Sequence, residues 1–140
     1  MNNSKILLIG YGNTLREDDG FGVFVADRLK NNPKFECVCV HQLIPELTEL
    51  IAKFYSVFFV DVNIENEAGV FAVPMANSNK PLYHNFSPWE LMDLTKKLFG
   101  TNHAFTIFSV GGERFGYGET LSPPLLEAAK ALIVFLKQIN

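Results

Sequence analysis

Apolar positions along this chain follow two rhythms that alternate from one end to the other. Residues 5–10, "KILLIG", form a short apolar, β-branched run closed by glycine, which predicts a buried strand. From about residue 20 to residue 30 the period changes, and Phe21, Phe24, Val25 and Leu29 recur at the spacing of one helix face. Residues 36–41 alternate as a second strand. Pro45 then suits the first turn of a short helix on which Leu47, Leu50, Ile51 and Phe54 share a face. "VFFVD", residues 57–61, predicts a fully buried strand that ends in an aspartate, and "GVFAV", residues 69–73, is a candidate hairpin partner.

The second half is punctuated more sharply. In "SPWELMDLTKKLFG" Ser87 is an N-cap, Pro88 fits the first helical position and Glu90 completes a capping box. Leu91, Leu94 and Leu98 form the predicted apolar stripe, and Gly100 ends the helix as a C′ glycine. "AFTIFSV", residues 104–110, is the next strand, and the Ser-Pro start recurs at Ser122 and Pro123, opening a long closing helix. Strands alternating with helices predict an α/β three-layer sandwich. Its core is a mostly parallel twisted sheet of about five strands with helices on both faces.

Composition narrows the function more than the fold. Of 140 residues 48% are hydrophobic and 19% charged, which suits one globular domain spanning residues 1–140. The formal net charge is −3 and no lysine or arginine cluster occurs, so nucleic acid and anionic membrane are poor partners, whereas a cation is acceptable. No apolar stretch reaches membrane-spanning length and the start lacks a signal-peptide pattern, so a soluble cytoplasmic protein is expected. Cys37 and Cys39 point to one face of the second predicted strand, where a disulfide would be strained and buried or half-buried free thiols are expected.

In open α/β sheets ligands sit beyond the carboxyl ends of the strands. Three segments reach that edge: "GYGNTLREDDG", Asp61, and the glycine-rich "SVGGERFGYGETLSP". The first carries Glu17, Asp18 and Asp19 in a row. One acid there is explained by capping the following helix, a contribution of about 0.3–1 kcal/mol. Three exceed that need, and a cation or a basic substrate group would offset their repulsion. Asp61 follows a run without polar positions. It either caps a turn or pairs with Asp19 in a two-carboxylate site, which a histidine would complete for a borderline divalent ion. His41 and His84 can reach this edge, whereas His103 precedes the fifth strand and is expected at the opposite edge, in solvent.

Several familiar chemistries are excluded. "GYGNTL" begins like a dinucleotide fingerprint, but Leu15 stands where the third glycine belongs, and the second strand ends in His41, not in a ribose-binding acid. The sequence contains no GxxxxGK[ST], GxSxG, HExxH or CxxC.

"ILLIGYGNTLREDDGFG" resembles the opening signature of the nickel–iron hydrogenase maturation endopeptidases, in which GxGN precedes a DDGxG-like element. The resemblance continues through "FFVD" and "SPWEL" to "GYGETLSP", in order, over nearly the whole chain. It implies an α/β sandwich enzyme that removes a C-terminal extension from the hydrogenase large-subunit precursor once nickel is inserted. It further implies a protein expected to be monomeric, acting on nickel carried by its substrate, with zinc or cadmium as substitutes. By position, Asp19 and Asp61 correspond to the catalytic, metal-contacting acids, leaving Glu17 and Asp18 as capping or solvated neighbours. Where better-known members have histidine after the Ser-Pro of the third helix, this chain has Trp89. His84 is the expected replacement as metal ligand, with His41 the other candidate. A non-catalytic assembly or metal-binding factor of the same fold is the alternative that Trp89 keeps open.

Overall fold

The first apolar run lies inside a five-stranded sheet in the computed structural model, which describes residues 2–72 and 86–139. The strands are β1 (Asn2–Tyr11), β2 (Phe35–Val40), β3 (Phe54–Ala68), β4 (Phe71–Ala72) and β5 (Ala104–Gly111), in the order β2-β1-β3-β5-β4. All pairings are parallel except that of β4 with β5. The helices are α1 (Phe21–Leu29), α2 (Leu47–Ile51), α3 (Pro88–Phe99) and α4 (Pro123–Gln138). None of the described helices is long and apolar enough to cross a membrane.

Strand pleating sorts the core into two halves. Leu8, Val60 and Val110 join Phe21, Val25 and Leu29 of α1 and Leu125, Leu132 and Leu136 of α4 on one face. Leu7, Ile9, Val57 and Phe59 join Leu47 and Ile51 of α2 and Leu91 and Met92 of α3 on the other. These are the three predicted layers. Phe58 meets Phe35 at 6.3 Å and Phe108 at 5.3 Å between ring centroids, tying three strands together beneath α4.

α3 starts as its sequence predicts. Ser87 accepts the Glu90 N–H at 3.1 Å and Glu90 accepts the Ser87 N–H at 3.0 Å, while Gly100 takes the left-handed conformation at φ 68°. Ser87→Ala is expected to lower stability by about 1 kcal/mol in urea denaturation. An unchanged midpoint would show that the box is redundant with the packing of α3.

Five expectations are corrected. β3 does not stop at Asp61 but continues to Ala68 along β5, and Phe54 begins that strand instead of closing the face of α2. The segment after Gly69 pairs with β5, not with β3, because β5 already occupies the open edge of β3. On α3 the buried residues are Pro88, Leu91, Met92 and Thr95, and Leu98 is 60% exposed. Cys39 is exposed, whereas Cys37 is half-buried as expected; both are free thiols, and burial pushes Cys37 up to about 11.

Candidate active site

Leaving β1, the chain goes first to β2 on one side and then to β3 on the other, so the strand order reverses between β1 and β3. A crevice opens at the carboxyl ends of strands related in this way. The register pairs Gly10 with Val60, which sets Tyr11 and Asp61 level on neighbouring strands one residue further on. Both have the parity of Leu7 and Ile9, so both belong to the face covered by α2 and α3.

Glycines decide how closely the next segment can return. A Cβ on Gly22 would lie 2.4 Å from the Val60 carbonyl oxygen, and one on Gly10 would lie 2.1 Å from that of Gly22. The first turn of α1 therefore lies directly on the ends of β1 and β3. Gly12, at φ 140°, leaves no room for a side chain, since a Cβ would sit 2.0 Å from the Asp19 carbonyl oxygen. The glycines of "GYG" serve this contact, which agrees with the exclusion of a dinucleotide fingerprint.

Between β1 and α1 a single 3₁₀ turn, Glu17–Gly20, carries the three acids. Asp19 does not cap α1, whose N-cap is Gly20 with no side-chain bond. Its Oδ2 instead accepts the Asn13 N–H at 2.8 Å, and Asn13 Oδ1 accepts the Leu15 N–H at 2.9 Å. The asparagine thus folds the loop so that its backbone holds Asp19.

Asp61 faces Asp19 and Tyr11. Burial is the main cause that pushes the Asp61 carboxyl up to about 7, and the charge of Asp19 adds to it. Hydrogen bonds from the Tyr11 hydroxyl and the Val62 N–H act in the opposite direction. Part of the residue's surface still meets solvent, but the atoms packed around the carboxylate remove most of its hydration. Tyr11 itself stays a phenol, held well above its usual range by burial, then by the charge of Asp61, the hydrogen bond to it, and the charge of Asp19. Two carboxylates that repel each other across a poorly hydrated gap favour a cation, or a shared proton, between them.

Asp18 plays another part. Expected in solvent or as a cap, it is fully buried. Its Oδ2 accepts from the N–H of Glu113 at 2.9 Å, the N–H of Arg114 at 3.0 Å and the hydroxyl of Ser122 at 2.8 Å, while Oδ1 accepts the Ser122 N–H at 2.7 Å. Burial alone would raise the Asp18 pKa, but these donors together hold it below its usual value. The Ser-Pro start of α4 therefore differs from that of α3: Ser122 stands at the N-cap but donates its hydroxyl to Asp18 and caps nothing. Main-chain bonds from Glu17 to Gly118 (2.8 Å), from Asp18 to Arg114 (2.9 Å) and from Gly118 to Leu15 (2.9 Å) complete the seam between the first loop and the loop after β5.

The histidines divide. His41 is exposed just past the end of β2, and His84 lies outside the described residues. His103 is at the opposite edge as expected, yet it is half-buried. Its Nδ1–H donates to the Phe54 carbonyl, and its Nε2 accepts from the Thr101 hydroxyl. Among the described residues no third histidine, cysteine or carboxylate joins Asp19 and Asp61 in a metal-holding group. The residues that sequence patterns missed are Tyr11, Asn13, Asp18 and Ser122. All four lie in or beside the quoted motifs, but no local pattern assigned them these partners.

No protein-family model matches the chain, and no curated protein matches it. Solved structures do. The [NiFe] hydrogenase maturation protease HycI from Thermococcus kodakarensis KOD1 is 24% identical, with a TM-score of 0.76 over 98% of this chain and 92% of that one. The hydrogenase maturating endopeptidase HybD from E. coli is 21% identical, with a TM-score of 0.75 over 94% of this chain and 89% of that one. The hydrogenase 2 maturation peptidase from Thaumarchaeota archaeon SCGC_AB-539-E09 is 20% identical, with a TM-score of 0.68 over 94% and 95% respectively. The chain has the α/β fold of these proteases along nearly its whole length.

Proposed function

We propose that this protein is an endopeptidase of hydrogenase maturation, which removes the C-terminal extension of the large-subunit precursor after nickel has been inserted. The observation that carries this reading is the meeting of Asp19 and Asp61 at the strand-order reversal of a fold shared with hydrogenase maturation proteases. The ordered sequence motifs support it independently.

The donor set fits a divalent cation as a half-site. Two facing carboxylates, one of them poorly hydrated, gain from a positive charge between them, and further ligands come from His84 or from the metal's carrier. His84 is two residues before Phe86, which packs against the same apolar cluster as Tyr11. A metal bound there supplies Lewis acidity and a fixed charge. In our reading that metal is nickel travelling with the substrate, so the acids recognise a finished client. Asp61 is placed to take a proton from an attacking water and return it to the leaving amine. Asp19 stays in place through the Asn13 N–H and stabilises the positive charge brought by the client.

The test is incubation with a nickel-loaded large-subunit precursor, followed by intact mass of that precursor. Loss of a C-terminal peptide is expected, and Asp19→Asn and Asp61→Asn should each abolish it. Binding without a change in mass would sink the protease reading in favour of a non-catalytic assembly factor. His84→Ala with unchanged activity and metal affinity would remove that residue from the ligand set.

A further inference from the structure

We propose that Leu15, Arg16 and Tyr117 form a docking surface beside the carboxylate pair, which holds an extended segment of the client polypeptide by one carboxylate and one apolar side chain. The inference rests on the endopeptidase reading and adds to it where the client is gripped. Tyr117 is 93% exposed and Leu15 55%. Scattered singly, such residues need no explanation, but these two are neighbours. Arg16 pairs in parallel with Gly118, so Leu15 and Tyr117 stand level on adjacent stretches of chain. Their backbone lacks the freedom of an ordinary surface loop. The Gly118 N–H donates to the Leu15 carbonyl at 2.9 Å, and the Glu17 N–H donates to the Gly118 carbonyl at 2.8 Å. The Arg16 Nε–H donates to the Phe115 carbonyl at 2.9 Å, and its guanidinium lies over the Tyr117 ring, 5.7 Å from the centroid. Glu17 adopts φ 49°, a left-handed conformation that is costly for a residue with a side chain. Its side chain runs past the glycines on either side of Tyr117: a Cβ on Gly116 would lie 3.0 Å from Glu17 Oε1, and one on Gly118 3.2 Å from Glu17 Cγ. Strain of this kind persists where the surroundings over-determine it, and it collects at ligand clamps.

Composition and charge name the occupant. Tyrosine and arginine dominate protein interfaces, and side chains already held in place lose little freedom when a partner arrives. Arg16 spends Nε inside the molecule, which leaves its two Nη groups as a fork of donors that suits a carboxylate. Among the described residues no ion pair involves that fork. The Asp19 N–H donates to the Arg16 carbonyl at 3.1 Å, so the surface adjoins the acid assigned to the client's nickel. The segment of the client beside the cut is therefore the one that reaches it.

The test uses the nickel-loaded precursor. Arg16→Gln and Tyr117→Ser should each raise KM about tenfold and leave kcat within about threefold. Tyr55→Ser is the control. This tyrosine is 53% exposed near the start of β3, about 20 Å from Asp61 along the strand, and its loss should change neither constant. A thermal melt of each variant verifies the fold. Contact does not require cleavage, so p-benzoylphenylalanine is placed at position 117, and separately at position 55, and photo-cross-linked to the precursor. Mass spectrometry should find adducts with the precursor's C-terminal stretch from position 117 and none from position 55. Replacing the acidic residues of that stretch by their amides should remove the effect of Arg16→Gln. An unchanged KM in both variants, an equal loss in Tyr55→Ser, additive losses between Arg16→Gln and the amides, or no cross-links from position 117 would each overturn the inference. Cross-links from position 117 to the C-terminal stretch without any cleavage would sink the protease reading and leave the docking surface standing.

Discussion

Asp18→Ala is expected to lower stability by about 3–5 kcal/mol, a cost of the size measured when one partner of a buried charged network is removed. The carboxylate is fully buried and accepts four hydrogen bonds. Glu113 and Arg114 are exposed, so water can reach their N–H groups once the acid is gone. Ser122 is 1% exposed, and its N–H and hydroxyl would be left buried without an acceptor. Asp18→Asn should cost nearly as much despite its shape, because both carboxylate oxygens accept and an amide presents a donor in place of one of them.

The same carboxyl gives a pH signature. Its native pKa is lowered from 3.8, so its contribution is complete above that ordinary value and is lost as pH falls through the lowered native one. Urea denaturation from pH 6 downward should show the natural protein losing stability on acidification faster than Asp18→Asn. A variant with the natural midpoint at neutral pH would show that the seam between the two loops is held by main-chain bonds alone. The loss should also lower activity, since Asp19 is the next residue along the same 3₁₀ turn.

Asp61→Asn is expected to have the opposite effect on stability and a severe one on function. The native carboxyl is raised from 3.8 to about 7, chiefly by burial. A raised carboxyl binds its proton more tightly in the folded state, so its ionisation opposes folding. That cost is absent below 3.8, grows as pH rises between the two values, and is complete above about 7. In the presence of a chelator, Asp61→Asn should be more stable than the natural protein at pH 8 by roughly 1–3 kcal/mol. The gain should shrink toward pH 4. An asparagine oxygen can still accept the Tyr11 hydroxyl, so the gain is not offset by an orphaned phenol. A variant less stable than the natural protein at pH 8 would contradict this account of Asp61. Stability given up at a working site is common in enzymes, and a metal that binds the ionised pair would recover it.

Local chemistry was enough for much of the fold. Short apolar runs located β1 and β5, and the Ser-Pro start located α4. Ser87, Pro88, Glu90 and Gly100 located α3, because capping is settled within one helical turn. Alternation of strands and helices was enough for a parallel sheet with two covered faces. Asp19 and Asp61 were legible as candidates because acids at the ends of apolar strands have few local uses.

What only the tertiary structure decided is who meets whom. Strand order and register set Tyr11 beside Asp61, and no local pattern encodes a pairing between residues fifty positions apart. The three adjacent acids show this best. Asp18 and Asp19 are chemically identical in the sequence, yet the turn buries one against four donors and leaves the other beside Asp61. Consecutive side chains in a tight turn point in different directions, so the function of each depends on what the distant chain brings to meet it. For Asp18 that is Ser122 and the loop after β5, and for Asp19 it is the end of β3.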